Sequence, residues 1–233
     1  MIDIGRVRSA FPDRRIDHFP SIGSTMTAAA GLPPGSVVLA DEQTQGQGRY
    51  GRSWRSEPGL GLYCSVVLPP QPLLTLALGL ATAEAIGLEC DLRWPNDVML
   101  GGKKVAGILA QLVDNQAIAG IGINVNQASF PPDLAPIATS LRLHTRREFS
   151  STDLLIHLLR SIDSFLAFTP DTILRLFTQA SSYAVGRRVV VHQPEGEIVG
   201  TTTGLDASGF LMVRQDDGTV TLIVAGGVRA AGS

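Results

Sequence analysis

Cysteine is scarce in this chain: Cys64 and Cys90 are the two in 233 residues, both in apolar surroundings and neither in a C-x-x-C pair. That excludes a disulfide framework and a thiolate zinc site, and the expectation is reduced, partly buried thiols in a cytoplasmic protein. His18, His144, His157 and His192 are scattered without ligand spacing, so no protein-held metal is expected. A basic excess is missing too. Lys and Arg total 19 against 21 Asp and Glu, a net charge of −2, which argues against DNA as the main partner. No stretch reaches the roughly 18 apolar residues of a membrane span. The longest candidate, Leu73 to Leu88, carries Glu84 and reads as a buried helix, and the N-terminal "MIDIGRVRSAFPDRRIDHF" has no uninterrupted apolar segment.

What is present is a globular pattern of strands in pairs with helices between the groups. Arg15 to Pro20 reads as a short strand, and "SIGSTMTAAAGL" as a polar loop entering a helix, with Ser24 or Thr25 placed to cap it. Ser36 to Gln43 and Leu60 to Leu68 are strands, and Pro72 to Gly87 is the first long helix. In "LRWPNDVMLGGKKVAGILAQLV" two apolar runs flank Gly101-Gly102, a hairpin composition, and "QAIAGIGINVNQ" continues the meander. A Pro-rich loop follows, then helices at Thr152 to Phe168 and Asp171 to Ala180, with Ser150 shaped as a start signal. From about Gly186 the texture changes to short strands, "RRVVVHQ", "EIVGTTTGLD", "GFLMVRQ" and "TVTLIVAGG", with turns at Glu195-Gly196, Ala207-Ser208-Gly209 and Asp216-Asp217-Gly218. This predicts a small all-β barrel or sandwich packed on a larger domain.

Chemistry concentrates in two places. "TQGQGRYGRSW" holds Gly46, Gly48 and Gly51 as G-x-G-x-x-G, but a strand follows where a dinucleotide fingerprint needs a helix. The loop therefore joins two strands, and Arg49, Arg52 and Arg55 make it basic. Glycines that let the backbone approach, with guanidinium groups that grip phosphate, suit an anionic ligand; a solvated surface turn is the bland alternative. Trp54 closes the loop as an anchor for its base. In the hairpin, Trp94-Pro95-Asn96-Asp97 precedes a turn that brings Lys104 back towards Asp97. That pair is either an inconsequential salt bridge or a cation poised over developing negative charge. Gly107 leaves room for close approach, and Asn124 and Asn126 are unusual in a buried strand unless their amides find partners.

The ordered motifs "STM", "DEQTQGQGRYGRSW", "GLYCSVVL", "RWPNDVMLGGKKVAGILAQ" and "GIGINVN", with the β-rich tail, closely resemble the biotin protein ligase family from about Asp17 to the C-terminus. The resemblance implies an α+β fold: a mixed-sheet catalytic domain like that of class II aminoacyl-tRNA synthetases over residues 1–182, and an SH3-like β-barrel over 183–233. It implies that ATP and biotin are substrates, with Mg²⁺, and that biotinyl-5′-AMP forms before biotin passes to a lysine of the biotin carboxyl carrier protein of acetyl-CoA carboxylase.

Residue by residue, the family pattern places Ser24, Thr25 and Gln43 at biotin's ureido ring and its surroundings. It places Gly46 to Arg52 in the ligand-covering loop, with Arg49 and Arg52 on carboxylate and phosphates. Lys104 falls near the reacting carboxylate and α-phosphate, Asp97 is the aspartate of W-P-N-D, and Asn124 lies in the adenylate strand. Arg49, Asp97 and Lys104 are the catalytic set so implied; Gly48, Gly51, Trp54, Asn96 and Gly107 complete the binding set. The chain departs from the pattern at Gln47, which stands where the loop usually has its first arginine, at Met26 for the frequent asparagine, and at Arg93 for the common lysine. About twenty residues precede Ser24, too few for the winged helix of the DNA-binding members, so the expectation is a ligase-only form without DNA or membrane contacts. Homodimerisation stays open. The rival is a lipoate-protein ligase or octanoyltransferase relative; a non-enzymatic interaction module would leave Lys104, Asp97 and the arginine loop unused. Tyr183, Arg187 and Arg188 are expected at the domain junction, with contact to the carrier as the alternative.

Overall fold

Strand β3 (Gly61–Leu68) is buried at all eight positions, as a continuous apolar run covered on both faces should be. In the computed structural model, which describes residues 2–193 and 196–231, β3 lies inside a seven-stranded sheet, between β2 and the central strand β7. The other strands are β1 (Ile16–Phe19), β2 (Val37–Ala40), β4 (Asp91–Arg93), β5 (Asp97–Leu100), β6 (Lys103–Val113) and β7 (Gln116–Asn124), in the order β1-β2-β3-β7-β6-β5-β4. β1 and β2 are parallel, joined through α2 (Thr25–Ala29); every other pair is antiparallel, which makes the sheet mixed and the class α+β.

Side chains alternate between the two faces. Val37, Leu39, Leu62, Cys64 and Val66 enter the main core under α3 (Leu74–Ile86). Ten of the 13 residues of α3 are buried, because the helix is apolar all round and lies between the sheet and α5 (Ser151–Leu166) and α6 (Pro170–Ala180). On the opposite face Val38, Val67 and Ile118 meet Ala29 of α2, with Phe19, Met26 and Leu32 packed against them. The candidate site residues Lys104, Gly107 and Trp54 collect on this face.

The expected capping at Ser150 is present, its hydroxyl accepting from Asp153 N, and Thr169 with Pro170 starts α6 in the same manner. Ser24 occupies the N-cap of α2 without a side-chain cap bond. Three expectations need correction. The run "LRWPNDVML" is two strands, because Trp94 to Asn96 form the turn between antiparallel β4 and β5. "TVTLIVAGG" breaks after Ile223, and the chain resumes as a separate strand at Gly227. An N-terminal helix, α1 (Ile4–Ala10), capped by Asp3, lies where no element was expected; Val7 is its buried residue. A short helix, α4 (Leu141–Thr145), also precedes α5.

The C-terminal sheet comprises β8 (Val185–Gln193), β9 (Gly196–Leu205), β10 (Leu211–Arg214), β11 (Val220–Ile223) and β12 (Gly227–Ala230), all antiparallel in the order β11-β10-β9-β8-β12. Glu195 of the expected Glu195-Gly196 turn lies outside the described residues. The buried indole of Trp94 donates to the Gly209 carbonyl at 2.9 Å, which bonds the first sheet's edge to the C-terminal unit, and just before that unit Ser181 donates to the Leu92 carbonyl at 2.5 Å. Arg187 stacks on Tyr183, whereas Arg188 pairs with Asp216 within the C-terminal unit. Among the described residues no helix is long and apolar enough to cross a membrane.

Candidate functional site

Lys104 and Gly107 are three residues apart, so in a regular strand they would face opposite ways. A register shift between Val98 and Met99 inserts one extra residue into β6: Asp97 pairs with Gly107 and Val98 with Ala106, but Met99 pairs with Lys104. The bulge returns the Lys104 side chain to the face of Gly107. Lys104 Nζ then lies 2.5 Å from Asp97 Oδ1, while Arg93 Nη2 donates to Asp97 Oδ2 at 2.6 Å. Burial pushes the Asp97 carboxyl up, but the Lys104 ammonium and then the Arg93 guanidinium outweigh it and hold the carboxyl below the usual carboxylate range.

The loop between β2 and β3 folds back over this face. Trp54 N donates to the Gly46 carbonyl at 2.8 Å and Gly48 N to the Arg52 carbonyl at 2.7 Å, closing a tight turn over Arg49–Gly51 in which Gly51 has φ +68°. Gly46 leaves no room for more: a Cβ there would sit 2.7 Å from the Trp54 carbonyl oxygen. The Trp54 indole lies on the sheet where side chains are missing. A Cβ at Gly122 would come within 2.5 Å of its Cε2, and one at Gly107 within 3.0 Å of Cζ3. Lys104 Nζ is 5.4 Å from the indole centroid, a cation–π distance. The indole Nε1 is buried without a hydrogen-bond partner among the described residues.

Ser24, Thr25, Gln43, Gly48, Arg49, Trp54, Asn96, Lys104 and Gly107 line one cavity on this face. Its two ends differ in chemistry. At one end Gln43 Oε1 accepts from Thr25 N and Oγ1, each at 2.9 Å, and Thr25 Oγ1 meets the buried Ser65 Oγ at 2.8 Å. This chain fixes the Gln43 amide with its oxygen on Thr25 and its nitrogen towards Ser56. At the other end stand Lys104, Asn96 and Arg49. Asn96 Nδ2 donates to the Ile108 carbonyl at 2.9 Å, and its Oδ1 accepts from Arg49 Nη1 at 3.3 Å; that nitrogen also donates to the Gly226 carbonyl at 3.2 Å. A cavity with amide and hydroxyl groups at one end and two fixed cations at the other suits a neutral polar head joined to an anion.

The remaining expected residues stand apart from the lining. Asp97 sits behind Lys104, Gly46 and Gly51 shape the loop, and Arg52 is exposed. Asn124 is buried at the end of β7, where its Nδ2 donates to the Thr139 carbonyl at 3.0 Å. The lining also includes Met26, Gln47, Cys64, Ile108, Leu109, Gly120, Ile121 and Gly122. Gly120 and Gly122 had a signal: "GIG" puts both on one face of a strand. Cys64 is inert, its thiol pushed up to about 12 by burial, and Cys90 is raised to about 11 by burial and Asp91. Among the described residues no group of three His, Cys, Asp or Glu side chains could hold a metal ion, and Asp97 is engaged by two cations.

Comparison with known proteins gives matches along most of the chain. Residues 19–127 match the model of the biotin/lipoate A/B protein ligase family, and residues 184–228 that of the biotin protein ligase C-terminal domain. The bifunctional ligase/repressor BirA of Bacillus subtilis is 32% identical over 209 residues, which cover 80% of this chain and 63% of that protein, so the chain spans less than two thirds of that relative's length. Biotin–[acetyl-CoA-carboxylase] ligase of Mycobacterium tuberculosis is 32% identical over 237 residues, covering 92% of this chain and 88% of the relative. The solved biotin protein ligase of Aquifex aeolicus, in complex with biotin and ATP, superposes with a TM-score of 0.83 at 30% identity, covering 93% of this chain and 99% of that one.

Proposed function

The chain belongs to the biotin protein ligase family, and from that premise we propose that it activates biotin with ATP and transfers it to a lysine of a biotin carboxyl carrier protein. The carrying observation is the cavity beneath Trp54, polar at Gln43 and Thr25 and cationic at Lys104 and Arg49. Biotin matches that polarity. Its ureido head presents donors and an acceptor to Gln43, Thr25 and Ser24, its apolar body lies between Trp54 and the glycine floor, and its carboxylate reaches Lys104.

In the first step a carboxylate oxygen attacks the α-phosphorus of ATP, the bond to the bridging oxygen of the β-phosphate breaks, and pyrophosphate leaves. Charge grows on the oxygens between carboxylate and phosphorus, where Lys104 and Arg49 are already oriented by Asp97 and Asn96. In the second step a neutral lysine amine attacks the acyl carbon, the carbon–oxygen bond breaks, AMP leaves, and the nitrogen loses a proton to solvent. The described residues do not form a cage for Mg²⁺. Mg²⁺ would be held mainly by the nucleotide phosphates and water, as it commonly is.

Residues 1–182 are the biotin- and ATP-binding unit in this reading and 183–233 the C-terminal unit, a division supported by the start of the second family match at residue 184. Biotin–[acetyl-CoA-carboxylase] ligase relatives support the carrier of acetyl-CoA carboxylase as acceptor. The test is the intact mass of a purified carrier domain after incubation with this protein, Mg-ATP and either biotin or lipoate. An ATP-dependent gain of biotin's mass is expected. A gain with lipoate alone would overturn the reading.

A further inference from the structure

Beside the Gly107–Gly122 pair under Trp54, the cavity floor continues two residues along each strand as the pair Leu109–Gly120. Met26 covers that second row. It follows Thr25 in α2, packs against the cluster of Ala29, Val38, Val67 and Ile118, and lines the cavity at its Gln43 and Thr25 end. A Cβ on Gly120 would sit 2.7 Å from Met26 Sδ and 2.9 Å from its Cγ, so the thioether fills the room that the glycine leaves. Large and small residues are matched across the end of the cavity where the head of the ligand is bound.

We propose that Met26, seated on Gly120, determines the size of the ring system that the cavity accepts. The inference rests on the biotin ligase reading and adds to it a residue that sets specificity by filling space. Of the groups at that end, Gln43, Thr25 and Ser65 bond to one another and fix polarity, whereas Met26 contributes bulk. An unbranched side chain held against a glycine is a wall that can be removed, or pushed inward, by a change of a few atoms.

The experiment measures pyrophosphate release with Mg-ATP and either biotin or a biotin bearing one extra methyl on its thiolane ring. Wild type, Met26→Ala, Gly120→Ala and the double variant are compared, with thermal melts to show that each is folded. Wild type should prefer biotin by roughly ten- to two-hundredfold in kcat/KM, the usual range for one misfitting methylene. Met26→Ala should lose most of that preference through KM. Gly120→Ala should drive the thioether inward and raise KM for biotin at least several-fold, and the double variant should recover it. Unchanged preference in folded Met26→Ala, with wild type active, overturns the proposal. Where Met26→Ala does not fold, Gly120→Ala decides, and an unaltered KM for biotin is the overturning result. Wild type inert towards both acids would instead remove the ligase reading and this inference with it.

Discussion

Arg49 and Gly226, 177 residues apart, are joined by a hydrogen bond in which Nη1 of the arginine donates to the glycine carbonyl at 3.2 Å. The same nitrogen reaches Asn96, and the guanidinium stacks 4.9 Å from the Tyr50 ring centroid. The loop is thus latched at once to the turn between β4 and β5 and to the C-terminal unit. Arg49→Ala should cost adenylation roughly 2.7–4 kcal/mol, the range for losing one preorganised donor. It should also expose Tyr50 to faster cleavage by chymotrypsin. Normal adenylation together with an unchanged cleavage rate would show that the latch is idle.

Lys104→Ala removes the ammonium that Asp97 aims into the cavity. Pyrophosphate release should fall by about 10²–10³-fold. A folded variant releasing pyrophosphate at close to the wild-type rate would take Lys104 out of the mechanism.

Acid should act through Asp97. Its folded carboxyl is held low, so its contribution to stability is complete above the unfolded value of about 3.9 and is lost as pH falls through the lower folded value. Asp97→Asn should melt at a lower temperature at neutral pH, because Lys104 and Arg93 lose their shared partner, and should show less change in Tm below about pH 4. Parallel Tm profiles for variant and wild type through that range would contradict the assignment.

Gly122→Ala places a methyl against the Trp54 indole, 2.5 Å from Cε2. Overpacking of this kind costs about 1–3 kcal/mol, and the indole can relieve it only by moving into the cavity or lifting the loop. Calorimetric titration should show biotin binding weakened at least tenfold with the far-ultraviolet circular dichroism retained. Wild-type affinity in the variant would mean that the cavity lies elsewhere.

Gln47 lines the cavity and bridges to Ser53, at the position where the sequence motif led us to expect arginine. Gln47→Arg should slow the escape of biotinyl-AMP by about tenfold or more, since a hydrogen bond to a charged group contributes roughly 1.5–3 kcal/mol. An unaltered off-rate would leave the departure at Gln47 without consequence.

The hairpin turn at Gly101-Gly102, the arginine loop and the cap at Ser150 were legible because each is written in adjacent residues. The turn at Trp94 was not, since apolar residues on both sides disguise two antiparallel strands as one. Helix α1 escaped notice because a single buried residue, Val7, carries its inner face. Gly120 and Gly122 become a floor only once Leu109, Gly107 and the covering side chains are known to face them. The partner of Arg49 is a backbone carbonyl, and no residue type at position 226 announces that it will accept. Local chemistry was readable, whereas contacts made by the backbone of distant segments depended on the fold.

The extra residue in β6 makes the site sensitive to counting. One residue inserted into β5 between Val98 and Met99 would give Val105 a partner, and β6 would regain a regular pleat with the ammonium turned towards α3. Such a variant would keep Lys104, Asp97, Gly107 and the interval between lysine and glycine, and is expected to lose the reaction. The one-residue mismatch between the two strands is therefore as much a part of the proposed site as the lysine.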